Sequence, residues 1–268
     1  MNNLIGISGK IGSGKDTVGK ILQYLGENYK NINTYLKEKH GREISQLEHF
    51  KVFNERDYKC NYQIKKYADK LKDIVCLLIG CTRADLEDRE FKEKELGEEW
   101  WKWEITFEDN FEGYMDYIGN EKHYEDEDMI ESHLIKFTPR KLLQLLGTEA
   151  GRQIIHPDIW VNALMSGYKK VMRTNANKQP DLFNYPNWII TDVRFPNEIK
   201  AIKDRGGIVI RVNRPLERLG NSKLPKLKHT SVTQHPSETA LDDYDFDHII
   251  ENNGSIEDLI TKLTNIFQ

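Results

Sequence analysis

Short apolar runs separated by amphipathic stretches dominate the first third of the chain. Leu4–Ser8 is apolar and contains β-branched residues, which predicts a buried strand. A glycine-rich turn follows it, and a helix is predicted from about Lys15 to Leu25. Residues 26–62 are polar and weakly patterned, whereas Gln63–Tyr67 predicts a second strand. Asp69–Ile79 predicts another helix, because its apolar residues recur at helical spacing.

The second half of the chain continues the alternation of helices and strands. The predicted elements are a helix that begins at Thr138-Pro139, a helix from Asp158 to about Val171, a loop or hairpin over 173–187, a strand at Trp188–Thr191, a helix from Pro196 to Gly206, strands at Ile208–Val212 and His248–Ile250, and a helix to Phe267 that opens on a capping box at Ser255–Asp258. Strands that alternate with helices predict a single α/β domain over residues 1–268, with a mostly parallel sheet flanked by helices.

An acidic segment interrupts this pattern. Residues 87–131 contain 18 acidic and 5 basic residues, a local net charge of −13 in a chain whose net charge is −4. The same segment is rich in Trp, Tyr and Phe, which disfavours disorder. We therefore expect a folded, partly helical and aromatic insertion over about 87–135, with a role in substrate binding or as a lid. The remaining residues carry +9, which suits an anionic ligand and equally an ordinary solvated surface.

Composition restricts the class of protein further. The 268 residues are 38% hydrophobic, enough for a real core, and no apolar run has the length that spans a bilayer. The amino terminus has no basic, then apolar, signal pattern, so a cytoplasmic location is expected. The cysteines Cys60, Cys76 and Cys81 lack metal-site spacing and are expected to be reduced thiols.

The first glycine-rich turn contains a phosphate-binding motif. Gly9–Thr17 fits G-x-x-x-x-G-K and lies between a predicted strand and a predicted helix, which is the context that the motif requires. Its glycines let backbone N–H groups turn towards a phosphate, and Lys15 can contact the β- and γ-phosphates. Asp16 stands where Ser or Thr usually binds Mg²⁺, with Thr17 next to it. Asp16 can approach the metal ion or position the acceptor, and Thr17 can supply the hydroxyl.

A second motif narrows the family. Thr191–Glu198, with the sequence T-D-V-R-F-P-N-E, closes a predicted strand and opens a predicted helix. The further segments that agree are Tyr67–Lys72, Thr138–Glu149, His156–Trp160 and Asn252–Ser255. Together with the G-K-D-T sequence of the loop, these segments resemble the deoxynucleoside monophosphate kinases of bacteriophages and their relatives. Residues 26–62 and 100–135 match this family less clearly.

The resemblance implies a P-loop kinase fold that phosphorylates deoxynucleoside 5′-monophosphates to diphosphates by in-line transfer from ATP, with Mg²⁺. It also implies a homodimer that has no stable nucleic-acid partner and acts in the host cytoplasm if the protein is viral. It places ATP against Gly12, Gly14, Lys15, Asp16, Thr17, Asn253 and Gly254, with Asp16 and Thr17 at the metal ion. Around the monophosphate it places Lys72, Arg140, Gln144, Gly147, Thr148 and Trp160. At the catalytic centre it places Asp192, Arg194 and Glu198, together with Lys15, Asp16 and Arg140.

Each of these side chains also has a structural interpretation. Arg140 can bind a phosphate through two nitrogens or remain a surface arginine. Asp192 ends a strand, where ligands bind in open α/β sheets, and can hold a metal-bound water, pair with Arg194 or cap a helix. Glu198 is favoured by the helix dipole in any case. Trp160 can stack on a base or pack in the core.

Two roles are considered for each of the other basic groups. Lys92 and Lys94 are expected to be solvated on a charge-mixed helix, and contact of Lys92 with the acceptor is the alternative. The segment 214–229 is basic and can be an exposed loop or a lid, with Arg211, Arg214 and Arg218 near the ATP phosphates.

Three other functions are considered. The first keeps the fold and changes the acceptor, as in adenylate or dephospho-coenzyme A kinases. The second is a nucleotide-dependent switch, which is disfavoured because Asn177–Pro180 lacks the aspartate of a guanine-binding motif. The third is a nucleic-acid-binding P-loop protein that uses the segment 214–229. The sequence contains no feature that selects one base, or a modified base, of the acceptor.

Overall fold

The computed structural model describes residues 1–27, 45–55, 60–107, 129–174, 180–215 and 239–267. The chain forms two compact units. The first comprises residues 1–69 and 158–268, and the second comprises residues 70–157. The predicted single domain therefore stays a prediction, and the second unit contains the acidic insertion. Most of the segment 214–229 lies outside the described residues.

Strands and helices alternate along most of the described chain. In chain order, the strands are β1 (Leu4–Ser8), β2 (Tyr62–Lys65), β3 (Trp101–Phe107), β4 (Met129–Lys136), β5 (Val171–Thr174), β6 (Pro180–Asn184), β7 (Asn187–Val193), β8 (Ile208–Asn213) and β9 (His248–Glu251). The α-helices are α1 (Lys15–Leu25), α2 (Gln46–Asn54), α3 (Asp69–Ile79), α4 (Arg89–Glu93), α5 (Pro139–Gln144), α6 (Ile159–Met165), α7 (Pro196–Lys203) and α8 (Ile256–Phe267). Short 3₁₀ turns lie at Asp85–Glu87 and Glu98–Trp100, and a π-helical segment spans Leu145–Ile155. The first unit is thus the α/β fold that the sequence predicts.

A five-stranded parallel sheet lies at the centre of the first unit. Its spatial order is β2-β7-β1-β8-β9, and each neighbouring pair is parallel. All five residues of β1 are buried, as expected for a strand covered on both faces. Ile5 pairs with Ile189 of β7 on one side and with Ile208 of β8 on the other. The predicted parallel sheet is confirmed, with β1 at its centre.

The hydrophobic core of the first unit packs the sheet against α1, α2 and α8. Ile7 and Ile189 of the sheet and Ile21, Phe53 and Leu263 of these helices belong to one buried cluster. On β1, a Cβ atom at Gly6 would lie 2.6 Å from Ile202 Cδ1 of α7, so only glycine permits this close packing. The helices therefore hold β1, and the loop that follows it, in one position.

Helix caps explain several of the observed boundaries. Thr138 accepts a hydrogen bond from Lys141 N at 3.1 Å and Pro139 is the first helical residue, which confirms the predicted start of α5. Ser255 Oγ accepts from Asp258 N at 3.1 Å while Asp258 accepts from Ser255 N at 2.7 Å. The predicted capping box is therefore present at the start of α8, with aspartate in the place of glutamate.

The second unit differs from its prediction in the type of secondary structure. The acidic insertion was expected to be partly helical, and the helix α4 agrees with that. However, β3 and β4 form a two-stranded antiparallel sheet in which Trp101 pairs with Lys136. Lys136 Nζ lies 4.5 Å from the centre of the Trp101 ring and 3.3 Å from Glu95. The partner strand lies beyond the segment 108–128, so a local pattern could not reveal the pairing.

Two further features of the described chain complete the fold. β5 and β6 form an antiparallel pair, which confirms the hairpin alternative for residues 173–187. Within the described residues, Cys60, Cys76 and Cys81 are not joined by disulfide bonds. Within the described ranges, no helix combines the length and the apolar character that crossing a membrane requires.

The sheet core predicts a clear contrast between two isoleucines. Ile189→Ala removes a fully buried side chain and leaves a cavity, so we expect a loss of about 2–5 kcal/mol in the free energy of unfolding. The matched control Ile249→Ala changes a strand residue that is 58% exposed, and its cost should stay below about 1 kcal/mol. Urea denaturation of both variants measures the difference, and equal losses would contradict the described core.

Candidate active site

The phosphate loop connects β1 to α1 at the carboxyl edge of the sheet. Gly12 and Gly14 have φ values of +78° and +97°, in the left-handed region that favours glycine. Ser13 N donates to Lys10 O at 3.1 Å, which closes a turn within the loop. A Cβ atom at Gly14 would lie 2.4 Å from Asn252 Nδ2, so the second glycine is also required by close packing.

The side chain of Lys15 folds back over the phosphate loop. Its Nζ donates to Gly9 O at 2.5 Å and to Lys10 O at 2.9 Å. The Oγ of Ser13 is buried and has no hydrogen-bond partner among the described residues. An anion in the loop would accept from the ammonium group and give this hydroxyl a partner. The loop residues therefore fit a nucleotide phosphate.

Asp16 lies on the first turn of α1, beside Thr17. Its Oδ1 lies 3.0 Å from Lys66 Nζ and accepts a hydrogen bond from Thr191 Oγ1 at 3.3 Å. Partial loss of solvent raises the pKa of Asp16, but Lys66, Thr191 and the charge of Lys15 together hold this pKa below its usual value. The carboxylate is 70% exposed and is ionised at neutral pH. Asp16 and Thr17 supply the oxygen ligands that Mg²⁺ prefers, and Mg²⁺ needs few ligands from the protein when phosphates supply others.

Asp192 is partly buried near the end of β7 and binds backbone amides. Its Oδ1 accepts from Tyr67 N at 2.8 Å and its Oδ2 accepts from Ala68 N at 3.0 Å. Burial raises the pKa of Asp192, although these two amides and the charges of Arg194 and Lys66 act in the opposite direction. Arg194 was predicted as a partner of Asp192, and its positive charge lowers the pKa of this carboxyl group. Through these hydrogen bonds, Asp192 links β7 to the turn that follows β2.

Glu198 occupies the first turn of α7 and is only 1% exposed. Its Oε2 accepts from Arg194 N at 2.7 Å and from Phe195 N at 3.1 Å, so it caps the helix that it belongs to. The backbone oxygen of Glu198 accepts from Tyr67 Oη at 3.1 Å. The structural interpretation of Glu198 therefore accounts for these contacts, and its catalytic role stays a prediction.

Asn252 contacts the phosphate loop, and the sequence analysis did not select it as a site residue. Its Nδ2 donates to Ser13 O at 2.8 Å. Its neighbour Asn253 accepts from Lys262 Nζ at 2.8 Å, while a Cβ atom at Gly254 would lie 2.3 Å from Asp258 Oδ2. An asparagine that directly follows a strand at the carboxyl edge was the signal that could have identified Asn252.

Asp242 is a second residue that the sequence analysis did not select. It lies 2.7 Å from Lys10 of the phosphate loop and 3.3 Å from Arg211 of β8. Arg211 also donates to the buried Ser8 Oγ at 3.1 Å and lies 5.5 Å from the Phe246 ring. Arg211 was predicted to lie near the ATP phosphates, and it does lie near the phosphate loop. Its described partners are the carboxylate of Asp242, the hydroxyl of Ser8 and the ring of Phe246.

The second unit contains a separate cluster of cations. Lys72 of α3 lies 2.5 Å from Glu87 Oε1, and Arg140 Nε of α5 lies 2.5 Å from Glu93 Oε1. Lys92 of α4 is partly buried, and the charges of Lys72 and Arg140 reach it. The structure therefore brings two of the predicted monophosphate residues together and adds Lys92, which the sequence analysis expected to be solvated.

The other predicted monophosphate residues are distributed over both units. Gln144 ends α5, and the buried Gly147 and Thr148 follow in the π-helical segment. A Cβ atom at Gly147 would lie 2.8 Å from Leu71 Cδ2 of α3. Trp160 belongs to the first unit, on α6, and is only 6% exposed, which agrees with the core alternative for this side chain.

Comparison with known proteins identifies relatives along most of the chain. The family model described as deoxynucleotide monophosphate kinase matches residues 3–263. The deoxynucleoside-5′-monophosphate kinase of Escherichia phage T5 is 26% identical over 261 residues, which cover 90% of this chain and 86% of the relative. The deoxynucleotide monophosphate kinase of Enterobacteria phage T4 is 28% identical over 140 residues, 52% of this chain and 48% of the relative. A relative from Acanthamoeba polyphaga mimivirus is 29% identical over 134 residues, 47% of this chain and 59% of the relative.

These matches confirm the resemblance that the motifs indicate. The family model covers nearly the whole chain, including the phosphate loop, the cation cluster of the second unit and Asn252. This chain belongs to the deoxynucleotide monophosphate kinase family.

Proposed function

We propose that this chain transfers the γ-phosphoryl group of ATP to deoxynucleoside 5′-monophosphates and forms deoxynucleoside diphosphates. The main support for this proposal is the phosphate loop, in which Lys15 Nζ contacts the carbonyl oxygens of Gly9 and Lys10. The chain also belongs to a family of kinases. Phosphoryl transfer needs little covalent chemistry from the protein, so positioned cations and backbone dipoles suffice.

The loop is proposed to hold the phosphates of ATP. Gly12 and Gly14 allow backbone N–H groups to face an anion, and the start of α1 adds a favourable partial charge. Lys15 then exchanges its two carbonyl partners for phosphate oxygens and neutralises the charge that develops during transfer. Asn253 and Gly254 follow β9 and are proposed to lie near the ATP base.

Asp16 and Thr17 are proposed to hold Mg²⁺. The ionised carboxylate of Asp16 and the hydroxyl of Thr17 adjoin the loop that binds the phosphates. Mg²⁺ held by these two residues would supply positive charge that offsets the charge of the phosphates. Lys66, which pairs with Asp16 at 3.0 Å, keeps this carboxylate oriented and ionised.

The cation cluster of the second unit is proposed to bind the phosphate of the acceptor. Arg140 supplies a planar fork and Lys72 a compact charge, which together suit a phosphate dianion. Both side chains are mostly buried, with exposed fractions of 23% and 15%. Gln144, Gly147, Thr148 and Trp160 are proposed to contact the rest of the deoxynucleotide.

Asp192 is proposed to act as a positioning residue. By holding the amides of Tyr67 and Ala68, it fixes the turn that carries Lys66, and Lys66 orients Asp16. Arg194, directly after β7, is proposed to stabilise charge at the catalytic centre. Glu198 is proposed to hold the backbone of Arg194 through its two amide contacts.

The protein is further proposed to be a homodimer in the cytoplasm of a host cell, with no stable nucleic-acid partner. Ile74, Leu77 and Leu78 of α3 are 42%, 84% and 50% exposed, which supports contact with a second copy. Light scattering of the purified protein measures the oligomeric state.

A nucleotide panel tests the acceptor. We expect ATP-dependent formation of diphosphate from one or more of dAMP, dGMP, dCMP and dTMP, and none from dephospho-coenzyme A. A coupled assay measures each rate at equal acceptor concentration. Phosphorylation of AMP or dephospho-coenzyme A in the absence of any deoxynucleotide turnover would contradict the proposal, and salt-dependent DNA binding without kinase activity would favour a nucleic-acid function.

Two alanine variants separate the donor site from the acceptor site. Lys15→Ala should lower kcat at least about ten-fold, because a contact to the transferred group is lost. Arg140→Ala should lower kcat/KM for the deoxynucleotide by at least about ten-fold while KM for ATP changes little. Lys20→Ala, which removes an exposed lysine of α1, is the control. Steady-state kinetics with each substrate varied in turn measures these values, and unchanged kcat/KM in either variant would contradict its role.

Asp192→Asn tests the positioning residue. The side-chain amide of asparagine cannot accept from both N–H groups in this geometry, so one of the two partly buried hydrogen bonds is lost, at a cost of about 1–3 kcal/mol in stability. Turnover should fall at least about ten-fold because the turn carrying Lys66 is no longer fixed. Asp204→Asn, at an exposed aspartate of the same unit, is the control. A folded Asp192→Asn variant with wild-type turnover would refute the role.

A further inference from the structure

Among the described residues, the cation cluster of the second unit combines three cations with two neighbouring carboxylates. Lys72, Lys92 and Arg140 come from three separate helices, and α4 packs against both α5 and the turn Asp85–Glu87. Glu87 and Glu93 are the described carboxylates whose charges oppose those of Lys72 and Arg140 at Lys92. Like charges at close range repel each other, and partial burial strengthens that repulsion. Such an arrangement is typical of a site that binds an anion.

Lys92 is the one cation of this cluster that forms no salt bridge with a described carboxylate. Within the described part of the chain it forms no salt bridge, whereas Lys72 and Arg140 each form one at 2.5 Å. Partial burial and the charges of Arg140 and Lys72 hold the pKa of Lys92 below its usual value, and Glu87 and Glu93 offset only part of this effect. A bound anion would remove the repulsion.

Arg140 has further donors available to an anion. It pairs with Glu93 through Nε, and its two Nη groups have no hydrogen-bond partner among the described residues. These groups belong to the fork that binds phosphate or carboxylate at two points. The two carboxylates, on side chains that are 55% exposed in Glu87 and 50% exposed in Glu93, can move into water without an unfolding step.

We propose that Lys92 is a third ligand of the acceptor phosphate, and that Glu87 and Glu93 are counterions that compete with this phosphate for Lys72 and Arg140. The inference rests on the proposed function, because it takes the bound anion to be the phosphate of the deoxynucleoside monophosphate. A phosphate dianion carries two charges on one group, so it replaces each single carboxylate at the cations. The two glutamates therefore keep the lysine and arginine side chains in place between substrates and weaken substrate binding.

The two parts of the proposal predict effects of opposite sign. Lys92→Gln should raise KM for the deoxynucleotide at least about ten-fold, the size expected for a lost charged hydrogen bond, with KM for ATP unchanged. Glu93→Gln should lower KM for the deoxynucleotide by about three-fold or more, because a competitor of the phosphate has lost its charge. A merely structural salt bridge between Glu93 and Arg140 would give the opposite result, a higher KM.

The matched control for charge is Lys94→Gln, two residues further along the chain. Lys94 is exposed and lies at the end of α4, so its replacement removes the same charge and should change KM less than about two-fold. Lys92→Arg retains the cation and should restore most of the binding that Lys92→Gln loses. Circular dichroism confirms that each variant is folded.

Phosphate binding is also measured without turnover. In a Lys15→Ala background, which weakens the phosphate loop, inorganic phosphate should raise the melting temperature, and Lys92→Gln should reduce that rise while Lys94→Gln does not. Equal KM values and equal phosphate shifts for Lys92→Gln and Lys94→Gln would overturn the third ligand. A higher KM in Glu93→Gln would overturn the competition. If the wild-type protein phosphorylates no deoxynucleotide but shows the Lys92-dependent phosphate shift, the proposed function fails and the anion site stands.

Discussion

Parallel pairing of β1 with both β7 and β8 is the constraint on which the first unit depends. Parallel strands place their carboxyl ends on one edge of the sheet, so loops from distant parts of the chain meet there. Side-chain hydrogen bonds connect the segments at that edge. They join Asp192 to Tyr67 and Ala68, Thr191 to Asp16, Asn252 to Ser13, and Arg211 to Ser8. These hydrogen bonds connect the phosphate loop and the start of α1 to the neighbouring strands and to the segment after β9.

The two units are proposed to bind anionic groups by different physical means. In the phosphate loop, the positive φ values of Gly12 and Gly14 allow backbone dipoles to contribute, together with the single ammonium group of Lys15. The cluster in the second unit uses the long side chains of Lys72, Lys92 and Arg140, which repel one another. Carboxylates accompany Lys72 and Arg140, and the proposed acceptor site requires them to give way to the phosphate. The proposed donor site is thus built on backbone, and the proposed acceptor site on side-chain ion pairs that can exchange.

Local patterns predicted the elements that are stabilised by nearby residues. The strand Leu4–Ser8 and the helix Lys15–Leu25 agree with their predictions because burial and glycine turns act within a few residues. The cap at Ser255 agrees for the same reason. The strands β3 and β4 were not predicted, since their pairing joins residues on either side of 108–128. The helical expectation for the insertion was therefore only partly right.

The sequence by itself determined the α/β class, the phosphate loop and the family, because each is encoded by spacing within short segments. Only the tertiary structure decided which side chains serve these segments. Asn252 reaches the loop from 239 residues away, and the charges of Lys72 and Arg140, on two other helices, act on Lys92. The tertiary structure also showed that Glu198 accepts hydrogen bonds from two backbone amides. Its position in the first turn of a helix did not predict these partners. Such contacts depend on packing between distant segments, and no local pattern of residues records that packing.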